Sequence, residues 1–245
     1  MPKLIANPAA SGKVTFDDGF GRYDADLFDF LPLNMWNARK RLANGTVKPI
    51  GKAPIAARWT TIRVVSRAIR RRCHAEQRNM GIRLKPNQLV IDIDPRTGGD
   101  ESFAAFCFDI GLNPDTWPCV ITGSGGRHYY LLVPDGFAVQ ETLDDLPGLE
   151  FKSTGRQVVA AGSRHPNSEF YRWSPNHPDI RDGIPLAPKR LLNAIKQADR
   201  GGNGGGNGGQ YTPDQRATML ARQHVREFRH ETRLRHLMFS CTHAT

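Results

Sequence analysis

The sequence predicts an α+β domain built on a mostly antiparallel sheet flanked by helices. Three observations predict it. Between residues 82 and 173, short runs rich in β-branched and aromatic residues recur, bounded by Gly, Pro, Asn or Asp. Segments with helical apolar spacing lie before, within and after that region. The chain has 245 residues, 39% of them hydrophobic, which is enough to bury a real core.

The elements follow in order. Residues 24–33 predict a short helix ended by Pro32, residues 36–43 a short basic helix, and residues 60–80 a longer one. In the longest, Ile62, Val65, Ala68 and Ile69 form an apolar stripe. Arg63, Arg67, Arg70, Arg71, Arg72 and Arg78 fill much of the remainder, and read equally well as a solvated face or as a phosphate-contacting surface. Residues 88–94 (QLVIDID) predict a strand, 101–109 a helix, and 118–122 and 127–133 two more strands. Residues 149–152 and 157–161 predict a hairpin around Thr154 and Gly155. Residues 169–173 predict a last strand, and 187–198 a closing helix with Pro188 in its first turn. This makes residues 1–200 one domain. Seven glycines in nine positions at 201–209 predict a flexible linker. Residues 210–245 predict a basic helical tail with Arg222, Arg226, Arg229 and Arg233 along one face.

Composition narrows the function. Lys plus Arg is 34 against 24 Asp plus Glu, a net charge of +10, which points first to a polyanion such as nucleic acid or nucleotide. No apolar stretch is long enough to cross a bilayer and the N-terminus lacks a signal-type apolar region, so the expected location is cytoplasmic, with no membrane partner. The four cysteines form no CxxC pair, which speaks against a zinc knuckle or a disulfide framework.

The sharpest chemical signal is the run Leu89 to Asp94. Residues two apart in a strand share a face, so Asp92 and Asp94 project together while Leu89, Ile91 and Ile93 face the core. Two adjacent ionised carboxylates repel unless a cation lies between them, so a D-x-D ending an apolar strand is a candidate divalent-metal site. The bland alternative is two solvated acids at a strand end. The loop of Thr122, Gly123, Ser124, Gly125, Gly126, Arg127 and His128 offers glycines, hydroxyls and a guanidinium for phosphate; alone it is also an ordinary glycine-rich turn. Glu150 is a third acid on a strand, followed by Lys152 and Arg156. Ser163, Arg164 and His165 add hydroxyl, guanidinium and imidazole groups.

In order, VIDID, SGGRH and GLEF resemble the three motifs of the bifunctional DNA primase/polymerase (Prim-Pol) domain of the archaeo-eukaryotic primase superfamily. The resemblance covers roughly residues 79–175, including VVAAGSRHPNSEFYRW after Glu150; the first 75 residues match poorly. It implies a primase-like catalytic fold with an RRM-like core. It implies DNA-templated addition of NTPs or dNTPs to a 3′-hydroxyl through two Mg²⁺ or Mn²⁺ ions. Asp92, Asp94 and Glu150 would hold the ions, with His128 beside them in the catalytic set. Ser124, Gly125, Gly126, Arg127, His128 and Arg156 would grip the nucleotide, with Lys152, Ser163, Arg164 and His165 in support. Arg63, Arg67, Arg70, Arg71 and Arg72 are candidates for the template backbone. Single-stranded DNA template, primer and nucleotide are the implied partners, with a replicative helicase in trans and a plasmid or phage origin. Two rivals stand beside this reading: a non-catalytic nucleic-acid-binding protein on the same scaffold, and a glycosyltransferase using D-x-D. The latter is disfavoured because the 90 preceding residues read as helical and basic.

Overall fold

The computed structural model describes residues 19–197. The expected linker at 201–209 and tail at 210–245 lie outside the described residues. In chain order the elements are β1 (Asp29–Pro32), β2 (Arg39–Arg41), β3 (Val47–Pro49), α1 (Ser66–Ala75), β4 (Met80–Arg83), β5 (Gln88–Ile93), α2 (Gly99–Ile110), β6 (Cys119–Ile121), β7 (Arg127–Leu132), β8 (Leu149–Lys152), β9 (Gln157–Val159), β10 (Arg172–Trp173) and α3 (Lys189–Ile195). The fold is α+β with antiparallel sheets, as the sequence predicts. One sheet has five strands in the order β10-β6-β7-β5-β8, a second has three in the order β1-β4-β9, and β2 and β3 pair as a separate ribbon.

β5 carries apolar side chains on both faces, which explains its near-continuous burial. Leu89, Ile91 and Ile93 join Phe103, Phe106, Leu149, Phe151 and Leu191 in a cluster beneath α2 and α3. Val90 faces the other way, with Val120, Tyr130 and Trp173, against Phe28, Phe30, Met80 and Ile82 of the three-stranded side. Two hydroxyls buried between the sheets are paired with each other. The Ala161 N–H donates to the Tyr23 hydroxyl at 2.9 Å, and that hydroxyl lies 3.1 Å from the hydroxyl of Tyr130.

Four expectations are corrected. Residues 24–33 contribute a turn and then β1 rather than a helix, because Phe30 and Leu31 are wholly buried in a strand paired with β4. Residues 36–43 contribute β2 rather than a basic helix. The Leu42 N–H donates to Thr46 O, the Gly45 N–H to Leu42 O, and Gly45 takes φ +81°, which closes a hairpin with β3. The expected long helix is confined to α1, and the described residues before β5 hold the four strands β1 to β4 beside it rather than helix alone. Residues 149–152 and 157–161 do not pair with each other. β8 pairs with β5 and β9 with β4, so the turn at Thr154 and Gly155 carries the chain from one sheet to the other. β4 and β5 cross at the same point: the Leu84 N–H donates to Arg156 O at 2.8 Å and the Gly155 N–H to Leu84 O at 3.2 Å. A two-stranded ribbon thus bends between the sheets, as happens at the corners of packed sheets.

Candidate active site

β5, β7 and β8 assemble the acidic site by register. Asp92 stands opposite His128 on one side and opposite Glu150 on the other. Directly opposed residues point to the same face, with Cβ atoms about 4.5–5.5 Å apart. Three residues distant in sequence therefore form one row, on the side of the sheet away from α2. Asp94 follows at the end of β5, on the same side.

The position of Asp94 is set by its backbone. Its N–H donates to Gly148 O at 2.8 Å, and its own carbonyl accepts from the Gly99 N–H at 3.0 Å. A Cβ on Gly99 would lie 2.6 Å from that carbonyl, and one on Gly148, which has φ +78°, 2.7 Å from it. Glycine at both positions lets β5, α2 and β8 start or end at one point.

The row opens onto a cleft of about 580 Å³, whose lining includes Lys52, Arg96, Thr122, Ser124 and Tyr171. That volume is of the size of small-ligand sites, about 300–1,000 Å³. Its charges are internally balanced. The Lys152 ammonium lies 3.4 Å from Asp92 Oδ2 and bonds Glu150 Oε2. His128 Nε2 lies 3.4 Å from Asp92 Oδ1. Burial alone would raise the Asp92 carboxyl, but His128 and Lys152 overcome it and hold it down at about 2. Arg96 binds both Asp94 oxygens, at 2.9 and 2.6 Å, and keeps that carboxyl below its ordinary value. Lys152 is raised because Asp92 and Glu150 outweigh its burial, whereas Lys52 is lowered, first by burial and then by Arg96.

The loop between β6 and β7 presents Thr122 and Ser124 to the cleft, with their hydroxyls 3.1 Å apart. Gly125 takes φ +89°, and a Cβ on Gly126 would fall 2.1 Å from the carbonyl of Ile93. The loop therefore packs directly on the end of the Asp92 strand.

The structure brings Asp92, Asp94, Ser124, His128, Glu150 and Lys152 to this cleft and sends other nominated residues elsewhere. Arg127 stands opposite Ile93, on the α2 side, and pairs with Asp100. Arg156 is exposed and pairs with Glu141. Ser163 is wholly buried, its hydroxyl accepting from the Met80 N–H at 3.0 Å and donating to Met80 O at 3.1 Å, which clamps β4. Arg164 lies 4.8 Å over the Trp36 ring. His165 packs on Gly123. Among the arginines of 63–72, Arg67 pairs with Asp26, Arg70 donates to Tyr23 O and Arg72 pairs with Glu76. Lys52, Arg96 and Tyr171 are cleft residues that sequence reasoning passed over. Lys52 lies 40 residues before Asp92 with no motif around it, so only the fold reveals it.

Among the described residues, no three Asp, Glu, His or Cys side chains are already drawn into a metal-holding group, because Arg96 and Lys152 engage the carboxylates. The donor set nevertheless suits a hard cation, being all carboxylate oxygen. Lys152 supplies the positive charge between Asp92 and Glu150 that such an ion would supply.

The family model of the bifunctional DNA primase/polymerase N-terminal domain (Prim-Pol) matches residues 23–190, 168 of the 245. The match reaches well beyond residues 79–175 and takes in most of the first 75 residues, whose likeness is not evident by motif. No curated protein matches the chain.

Proposed function

We propose that this chain, which belongs to the bifunctional DNA primase/polymerase N-terminal family, uses its cleft to add NTPs or dNTPs to a 3′-hydroxyl on a DNA template. The family is one of DNA primase/polymerase nucleotidyltransferases, with DNA and nucleotide as substrates. The observation that carries the reading for this chain is the row of His128, Asp92 and Glu150 across three adjacent strands, with Asp94 beside it.

The hydroxyl oxygen attacks the α-phosphorus and releases its proton to solvent, the bond from that phosphorus to the α–β bridging oxygen breaks, and pyrophosphate leaves. Divalent metal held by Asp92, Asp94 and Glu150 would neutralise charge on the attacking and leaving oxygens. The remaining work falls to the chain itself. The Ser124 and Thr122 hydroxyls, His128 and Lys52 surround the space where a triphosphate would lie. Arg96 and Lys152, released from Asp94 and Glu150, become free to meet phosphate oxygens.

The salt-bridged carboxylates favour one second reading, a nucleic-acid-binding scaffold that performs no chemistry. The family match removes the ground for a glycosyltransferase. Incubation with single-stranded DNA, labelled NTPs or dNTPs and Mg²⁺ or Mn²⁺, with and without primer, decides between the two that remain. Metal-dependent product, absent from the Asp92→Ala/Asp94→Ala variant, supports the enzyme; product without primer makes it a primase. No product with DNA binding intact supports the scaffold.

A further inference from the structure

A charged surface that this site leaves unexplained is the β2–β3 ribbon. Asp29 and Glu76 bracket 46 residues that contain eleven Lys or Arg and no carboxylate. Within that span Arg67, Arg70 and Arg72 of α1 are engaged by intramolecular partners, while Arg58, Arg63 and Arg71 are exposed at scattered positions. The ribbon differs: Arg39, Lys40, Arg41 and Lys48 are exposed, and none has a carboxylate partner among the described residues. Lys40 stands directly opposite Lys48 in register. Like charges at that position oppose strand pairing, and an isolated two-stranded ribbon is only marginally stable. An anion lying along the ribbon would relieve that repulsion.

The base of the ribbon is anchored. The Ile50 N–H donates to Ala38 O at 2.8 Å, Asn79 Nδ2 to Gly51 O at 3.1 Å and Gln157 Nε2 to Lys52 O at 3.0 Å. A Cβ on Gly51 would lie 2.5 Å from Trp36 O, so the strands leave the body in close contact. The last residue of this base, Lys52, lines the cleft that holds Asp92 and Asp94. Positive charge therefore runs from the exposed strands of the ribbon to the acidic site. Arg39 and Arg41 share one face of β2, about 6.6 Å apart at strand spacing, which suits successive phosphates of an extended chain.

We infer that the β2–β3 ribbon is a docking surface for the backbone of single-stranded nucleic acid, leading the strand into the cleft. This rests on the reading of the cleft as a nucleotidyltransferase site. The ribbon meets phosphate, so binding is insensitive to sequence and steeply salt-dependent.

The test uses the full chain and fluorescent oligo-dT, with affinity measured across a salt series. Replacing Arg39, Lys40, Arg41 and Lys48 together by Ala is expected to weaken binding at least tenfold. It should also flatten the log–log salt dependence by about 0.7 for each phosphate no longer neutralised. The single variant Lys40→Glu removes the Lys–Lys clash, so it should melt no lower than wild type while binding oligo-dT less tightly. That separates binding from folding. Unchanged affinity in both variants overturns the inference, as does ribbon-dependent binding confined to duplex DNA. Ribbon-dependent binding by a protein that incorporates no nucleotide supports the inference while overturning the enzyme reading. Normal incorporation with ribbon-independent binding overturns the ribbon alone.

Discussion

The α2-facing side of the five-stranded sheet carries Leu89, Ile91, Tyr129, Leu149 and Phe151, while the opposite side of the same strands carries Asp92, His128, Glu150 and Lys152. On the first side two helices close over the strands, and an ionised group beneath them would lose its hydration with nothing to replace it; Arg127 on that side stays partly exposed and paired with Asp100. On the second side, the three-stranded sheet covers Val90, Val120 and Tyr130 but leaves the end of β5 open to the cleft. Charge is thus concentrated where that cover stops, and Asp92, Asp94 and Glu150 each hold a cationic partner there. The faces divide the labour: one stabilises the sheet, and the other is available for chemistry.

The comparison is tested most sharply by Asp92→Asn. It should lower metal-dependent nucleotide incorporation at least about a thousandfold while lowering the melting temperature by only about 5 °C, through the loss of its pairing with His128 and Lys152. Primer-extension rates and thermal melting read the two effects; a fold collapse would place Asp92 with the stabilising face. Phe151→Ala, one residue from Glu150 but on the helix side, should do the reverse. Phe151 is wholly buried, so its loss costs about 3–5 kcal/mol in urea unfolding, while the folded fraction keeps its incorporation rate.

Lys152→Met should cost about 1 kcal/mol without metal, because Asp92 and Glu150 then face one another unneutralised. Added Mn²⁺ should raise the melting temperature of this variant more than that of wild type, since the ion takes over the role of the ammonium. An equal rise in both proteins would mean that Lys152 and metal do not compete. The smallest effect is expected for Arg127→Ala. Its partner, Asp100, lies on the α2 side, so nucleotide KM should change less than about twofold and stability by about 0.5 kcal/mol. A tenfold rise in KM would show that Arg127 reaches the cleft.

Much of the motif region was legible because strand alternation is local. QLVIDI, CVI, RHYYLL and LEFK each announce a strand, and the placement of Leu89, Ile91 and Ile93 opposite Asp92 follows from a period of two. β1 was not legible, because DFLP is a strand only by pairing with β4. β2 reads as helix because Arg and Lys favour helices, although the Asn44–Gly45 pair was a hairpin signal available in the sequence. The same locality explains the uneven reading of the site. Asp92, Asp94, His128 and Glu150 carry motif signatures, whereas Lys52 and Tyr171 reach the cleft from segments with none.

The sequence by itself determined the composition of the site and the face of each strand, because both follow from residue type and from the two-residue repeat of extended chain. Only the tertiary structure decided which strands are neighbours. Register set Asp92 between His128 and Glu150, the bend at Thr154 and Gly155 sent β9 to the second sheet, and the edge of that sheet left one end of β5 uncovered. Those outcomes rest on contacts between residues up to more than a hundred positions apart, such as Tyr23 with Tyr130, and no local pattern encodes them.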